Sequence, residues 1–432
     1  MDTLSTTFKK EHGYRLHVIQ TEKFKTTQIV VKFKEKLNRE TITKRALLPA
    51  LLRHSTKRYS SRQALQRMLD ELYGASFRID SAKKGNDHVM SLRLEIANEK
   101  YISTNEQILT EAIALIKEVI FKPNVENDSF IDSVVEREKD VLKQRINGVK
   151  DDKMAFANQR LLDEMYKNDL FSIHSVGYEE DLASIDGKEM FNYYEEMLRS
   201  NDISIYISGD VDKDDVTDQI VEQIQFPTDK KPEVKLKNES NTIKKDAQTI
   251  IEKEEIHQAK LHLGYRTNRT IKDADYPSLQ VLNGLFGGFP NSKLFMNVRE
   301  KHSLAYYASS MLEGLKGLLI VVSGIASEDY EKARKIIDEQ LLALKSGDFT
   351  EEHIEETKHL LIHQLRSTLD HPQGMIEFDY QNELAELDRT PESFIQQIKN
   401  VTKEDIIECA KDIQLDTVYL LTSESGDTDV EA

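Results

Sequence analysis

The sequence predicts an α+β protein built from two homologous halves, each a β-sheet with helices packed on one face. Three observations carry this. Segments of period-two and period-3.6 hydrophobicity are mixed throughout. The order strand, helix, hairpin, helix, helix, strand occurs twice, at a length of about 200 residues. Between the two runs lies PTDKKPEVKLKNESNTIKKDAQT, charged and poor in large apolar residues, as linkers are. The expected boundaries are residues 1–225 for the first half, 226–249 for the linker and 250–432 for the second.

In chain order, residues 14–19 and 27–34 alternate as paired strands around the turn-prone TEKFK. Residues 43–53 form an apolar helical run that Pro49 is expected to interrupt. Residues 62–72 are a second helix with the stripe Leu65, Met68, Leu69, Leu72. Residues 73–97 form a hairpin, and two long helices, 106–120 and 127–147, are separated by Pro123. Helices at 154–166 and 187–198 precede a strand at 203–212 that ends in the turn GDVD. After the linker come a strand at 259–265 and a helix at 276–286. A hairpin at 303–326, helices at 328–346 and 350–368 and a strand at 417–422 complete the second run. The last residues, SGDTDVEA, form an acidic tail.

Composition limits the function classes. The 432 residues are 39% hydrophobic and 31% charged, as expected of a charge-rich globular chain. A net charge of −17, from 76 acidic and 59 basic residues, argues against a general nucleic-acid or anionic-membrane binder and permits a basic or neutral peptide as ligand. Cys409 is the only cysteine, so no intrachain disulfide can form and a reducing compartment is expected. With no apolar run of signal-peptide or membrane-span length, the expected location is cytoplasmic.

The stretch 292–310, SKLFMNVREKHSLAYYASS, follows the glycine-rich LNGLFGGFPN and turns from helical spacing to strand alternation. Arg299 and Tyr306 flank that transition. A guanidinium and a phenol so placed can donate to one carbonyl or oxyanion. By residue type alone, a surface ion pair and a half-buried ring are the commoner outcome.

Several residues now converge. LFMNVREKHSLAY at 294–306, EREKDVL at 136–142 and GDVD at 209–212 resemble motifs of the pitrilysin/insulysin (insulinase) family of zinc peptidases, which includes the mitochondrial processing peptidases and small bacterial heteromeric relatives. The resemblance implies two halves joined into a clam-shell chamber. It also implies an HxxEH motif on the first helix, whose two histidines and a distant glutamate hold zinc while the middle glutamate activates water. Matched by its surroundings, that window is Ala50, Leu51, Leu52, Arg53, His54, and the distant glutamate, seven residues after Glu138, is Arg145. Ala50 cannot ligate, Arg53 cannot serve as a base, and Arg145 replaces the third ligand. Zinc hydrolysis by this chain alone is therefore not expected, and no cofactor is expected in it.

Other candidates are weaker. His359 and His363 are four apart on a helix, a metal-compatible spacing without a base between them. His257 and His262 fall on opposite faces of a strand. Cys409 reads as a small buried residue, and Gly284, Gly287 and Gly288 lack the GK[ST] of a phosphate loop. In the resembling family the second half supplies the Arg299/Tyr306 pair to substrate near zinc. The resemblance thus implies a noncatalytic subunit that contributes substrate-binding Arg299 and Tyr306 to a peptide-processing heterodimer. The zinc would sit in an HxxEH-bearing paralogous partner. A scaffold or peptide-binding protein with no role in hydrolysis is the alternative. A metalloenzyme using His359 and His363 by itself is a third.

Overall fold

The computed structural model describes residues 6–11, 13–102, 107–227 and 246–423. Most of the expected linker and the acidic tail lie outside these residues. The chain divides into two compact units.

The first unit is built on a six-stranded sheet of order β1-β2-β8-β3-β5-β4. Its strands are β1 (Thr6–Glu11), β2 (Tyr14–Gln20), β3 (Thr26–Lys36), β4 (Ser76–Lys84), β5 (Asp87–Ala97) and β8 (Asp202–Gly209); a short separate pair is β6 (Val125–Glu126) and β7 (Ser129–Phe130). Its helices are α1 (Ile42–His54), α2 (Arg62–Glu71), α3 (Ile108–Phe121), α4 (Asp132–Gly148), α6 (Gly187–Ser200) and α7 (Lys213–Gln223); the intervening α5 (Lys153–Met165) belongs to the second unit. The strands at 14–19 and 27–34, expected to pair with each other, do not. β8 lies between them, parallel to β2 and antiparallel to β3. Its run ISIYISG is buried residue after residue, which suits a strand covered on both faces. Nor does Pro49 interrupt α1. The helix continues through it because Leu47, Leu48, Leu51 and Leu52 are all buried in the core, and that burial offsets the lost backbone bond.

The second unit repeats this topology. Its sheet, β11-β12-β10-β13-β9, comprises β9 (Gln248–Glu254), β10 (Ala259–Arg266), β11 (Ala305–Glu313), β12 (Leu318–Ile325) and β13 (Gln414–Ser423). β10 is antiparallel to β12 and β13, β11 is antiparallel to β12, and β9 is parallel to β13. The first sheet has the same pattern when β4, β5, β3, β8 and β2 are read in that order. Helices α8 (Tyr276–Asn283), α9 (Tyr330–Ser346), α10 (Glu351–Leu369), α12 (Pro391–Asn400) and α13 (Lys403–Lys411) follow, while most of the intervening α11 (Pro372–Ala385) belongs to the first unit.

The units do not coincide with the stretches before and after the linker, because each sheet recruits a helix from the other stretch. Residues 149–172 belong to the second unit and Leu369–Tyr380 to the first. The packing explains both. From α5, Phe156, Ala157, Leu161 and Met165 join Ile320, Val322, Tyr419 and Leu421 in one apolar cluster. Gly264 on β10 admits the helix: a Cβ there would stand 2.6 Å from Met165 Sδ. Lys316 then donates to both carboxylate oxygens of buried Asp169 at 2.9 Å. In the first unit, Tyr380 meets Tyr206 edge-on and Lys32 lies over its ring. Glu377 accepts from Lys32 at 2.6 Å and lies 3.3 Å from Arg93 and 3.5 Å from Lys84. Asp379 pairs with His17 at 3.1 Å.

Candidate functional site

α1 and α4 pack against each other, as the zinc-bearing helices implied by the sequence would. The half-buried His54 has its Nδ1 2.9 Å from Ser55 Oγ. Burial lowers its pKa, Arg137 and Arg62 lower it further, and Glu138 opposes them. Glu138 is itself buried, 2.9 Å from Arg137 and 3.6 Å from Arg62. The charges that act on His54 therefore come from the N-terminal turns of α4 and the start of α2.

Arg145, near the C-terminus of α4, is elsewhere. It is one of the cations that depress His88, the ring that accepts from Arg45 Nε at 2.9 Å. Because Arg45 is in the first turn of α1, the two helices run antiparallel, and Arg145 faces the earlier part of α1. Of the positions matched to the zinc window, Ala50 and His54 are half-buried and Arg53 projects into solvent. Among the described residues no group of three or more His, Cys, Asp or Glu side chains could hold a metal ion.

Arg299 and Tyr306 lie in the second unit. α8 runs on into a π-helical turn, Gly284–Gly288, and a second π-helix spans Phe295–Lys301. π-turns widen the helix and often mark functional positions. Arg299, in the last turn, stacks its guanidinium 4.6 Å from the Phe295 ring and has Nε 3.6 Å from Glu300. The helix closes with Ser303 N–H donating to the Arg299 carbonyl and Leu304 N–H to that of Val298, both at 3.0 Å. Ser303 takes φ +51° to make the turn.

The chain then enters β11, the edge strand. Ala305 pairs with Ile325 and Tyr307 with Gly324, so Tyr306 is an extra residue without a partner on β12. Such a bulge re-aims a side chain, and Tyr306 is 79% exposed, the most exposed large apolar residue described. The geometry thus presents a phenol on a free strand edge, a short turn away from an exposed guanidinium. Sequence reasoning found both residues but not the bulge, which needs the cross-strand register to be seen.

The remaining candidates settle as structural, with one exception. The glycines pack the π-turn against its neighbours: a Cβ on Gly287 would be 2.6 Å from Ser310 N, and one on Gly284 2.4 Å from Thr357 Cγ2. Cys409 is buried, which pushes its thiol up to about 12 and keeps it unreactive. His262 is fully buried on β10 and pushed down to about 3, while His257 precedes the strand. His359 and His363, by contrast, both line an open cleft of about 850 Å³ along α10.

A Bacillus subtilis (strain 168) protein described as probable inactive metalloprotease YmfF is 43% identical over 417 residues, covering 96% of this chain and 97% of its own. The chain belongs to the M16 peptidase family. The family model described as Peptidase M16 inactive domain matches residues 184–361. Among solved M16-like structures, a conserved protein from Enterococcus faecalis V583 has a TM-score of 0.88 at 35% identity, covering 98% of this chain and all of its own. A Pseudomonas fluorescens structure described as a peptidase M16 inactive domain has a TM-score of 0.78 at 16% identity over 98% of this chain and all of its own, a likeness of fold alone. The chain is an inactive, peptidase-like M16 protein.

Proposed function

We propose that this M16 chain is the noncatalytic subunit of a heteromeric zinc metallopeptidase that processes peptides. A paralogous partner with an intact HxxEH motif supplies the zinc and the general base. This chain contributes Arg299 and Tyr306, which donate to the backbone or scissile carbonyl of a peptide. The observation that carries the reading is Tyr306, held exposed by a bulge on an edge strand beside Arg299. A phenol held out at a strand edge can donate to a carbonyl presented there. The free edge of β11 also suits an extended peptide, which adds main-chain hydrogen bonds to a sheet.

No helix among the described residues is long and apolar enough to cross a membrane, and together with the single cysteine this supports a cytoplasmic reading. The stacking of Arg299 on Phe295 favours a second reading, a scaffold in which the arginine only braces its own helix.

The experiment is peptidase activity with metal content, on this chain alone and then mixed with an HxxEH relative encoded beside it. Activity that appears only in the mixture, with zinc in the partner, is the expected result. Equal activity from the partner by itself would leave the scaffold.

A further inference from the structure

The cleft along α10 is lined by Asn291, Glu352, Glu355, Glu356, His359, Leu360, Ile362, His363 and Arg366. Helical spacing orders its donors. Glu352, Glu356, His359 and His363 are separated by four, three and four positions, which puts all of them on one stripe of the helix. All are exposed, so their side chains are free to turn toward one point. Two imidazoles at i, i+4 on one helix face are a recurrent bidentate grip for zinc and its first-row neighbours. The candidate third donor is already oriented: Glu356 accepts from Asn291 Nδ2 at 3.2 Å, and carboxylate ligands are commonly steadied by such an outer hydrogen bond. Glu355 is engaged with Lys358 at 2.8 Å and is not counted.

The position in the fold adds a second argument. α10 is to the second unit what α4 is to the first, the long helix that follows a hairpin and a helix. It meets the turn after α8 through Gly284 with Thr357 and Asn291 with Glu356, as α4 meets α1.

We propose that His359 and His363 chelate a divalent transition-metal ion in this cleft, with Glu356 as third donor and solvent completing the shell. No three donors are already gathered as a ready metal site among the described residues, so the grip closes as the two exposed imidazoles turn onto the ion beside Glu356, which Asn291 already holds. The site is solvent-accessible, has no general base between the histidines, and is independent of the composite peptidase reading, because it needs only this chain.

The test is calorimetric titration of the chelator-treated full chain with Zn²⁺, and separately with Co²⁺ to follow its visible absorption. One ion per chain is expected. His359→Ala and His363→Ala should each abolish stoichiometric binding, whereas His353→Ala, elsewhere on the same helix, should leave it intact. Asn291→Ala should weaken binding about tenfold through its loss as an outer partner. Absence of one-to-one binding, or binding that survives either histidine variant, would overturn the site. An unchanged affinity in Glu356→Gln would remove the carboxylate from it.

Discussion

Glu377 is the residue whose removal should be felt most sharply in the first unit. Its carboxylate is shared by Lys32, Arg93 and Lys84, and the Lys32 side chain is only 2% exposed. Burial lowers the Lys32 pKa and the pairing with Glu377 opposes this; Glu377 is itself held below the usual carboxylate range, chiefly by Lys32 against the effect of burial. Breaking a buried pair by deleting one partner costs about 3–5 kcal/mol. Glu377→Gln strands the buried Lys32, while Arg93 keeps Asp80 and Lys84 reaches solvent, so the low end of that range, about 3 kcal/mol, is expected. Lys32→Met should cost less, since Arg93 and Lys84 still neutralise the carboxylate. The double variant Lys32→Met/Glu377→Met should cost less than the sum, because an apolar pair replaces a buried ionic one. Hydrogen exchange of residues 369–380 reads this locally, and 3 kcal/mol corresponds to roughly a hundredfold faster opening. Exchange within threefold of wild type in Glu377→Gln, or strict additivity in the double variant, would refute the account.

Acid should act through the buried histidines. His88 and His262 are both pushed down to about 3, first by burial. The unfolded chain then binds protons that the native state refuses, so stability falls as pH drops below about 6.5, by up to about 1.4 kcal/mol per pH unit for each ring. His262→Phe should flatten that slope between pH 6 and 4 in urea titrations, and an unchanged slope would argue against it. Glu377 is lowered too, by its cationic partners against the effect of burial, and acts in the same direction: its contribution is present above the unfolded carboxylate pKa and lost as pH falls through its lowered native value. Gly287→Ala should cost about 1–3 kcal/mol by overpacking against Ser310 N, seen as faster exchange in β11 with the first unit unaffected. In an assembled complex, Arg299→Ala or Tyr306→Phe should reduce turnover about a hundredfold with assembly intact, measured by steady-state rates beside gel filtration; full rates in both would sink the composite site.

Much of the fold is legible in the sequence. The strand runs at 27–34 and 203–212, the helical stripe of 62–72 and the repeated element order give the fold class, although both strands are buried along nearly their whole length and not on alternate residues. What was missed is non-local. β8 enters between β2 and β3 from almost 170 residues away (an ordering no local period encodes), and the bulge at Tyr306 exists only relative to β12. The surroundings of the zinc window show the same limit: which cations act on His54 and which on His88 depends on how α1 and α4 pack, and spacing along either helix does not encode it.

The reciprocal recruitment of α5 and α11 reaches beyond this chain's stability. Each half gives away the helix that follows its longest helix and receives the equivalent one in return. Severing the chain at residue 237 would therefore not yield two independent folding bodies. Each fragment would carry an uncovered sheet and an orphaned helix, and the two should recover only as a non-covalent pair. The same reasoning applies to a single ancestral copy of the unit. Before duplication it would have satisfied its sheet by trading that helix with a second molecule, in a domain-swapped homodimer. Fusion of the two copies would then have turned an exchange between molecules into one within a single chain.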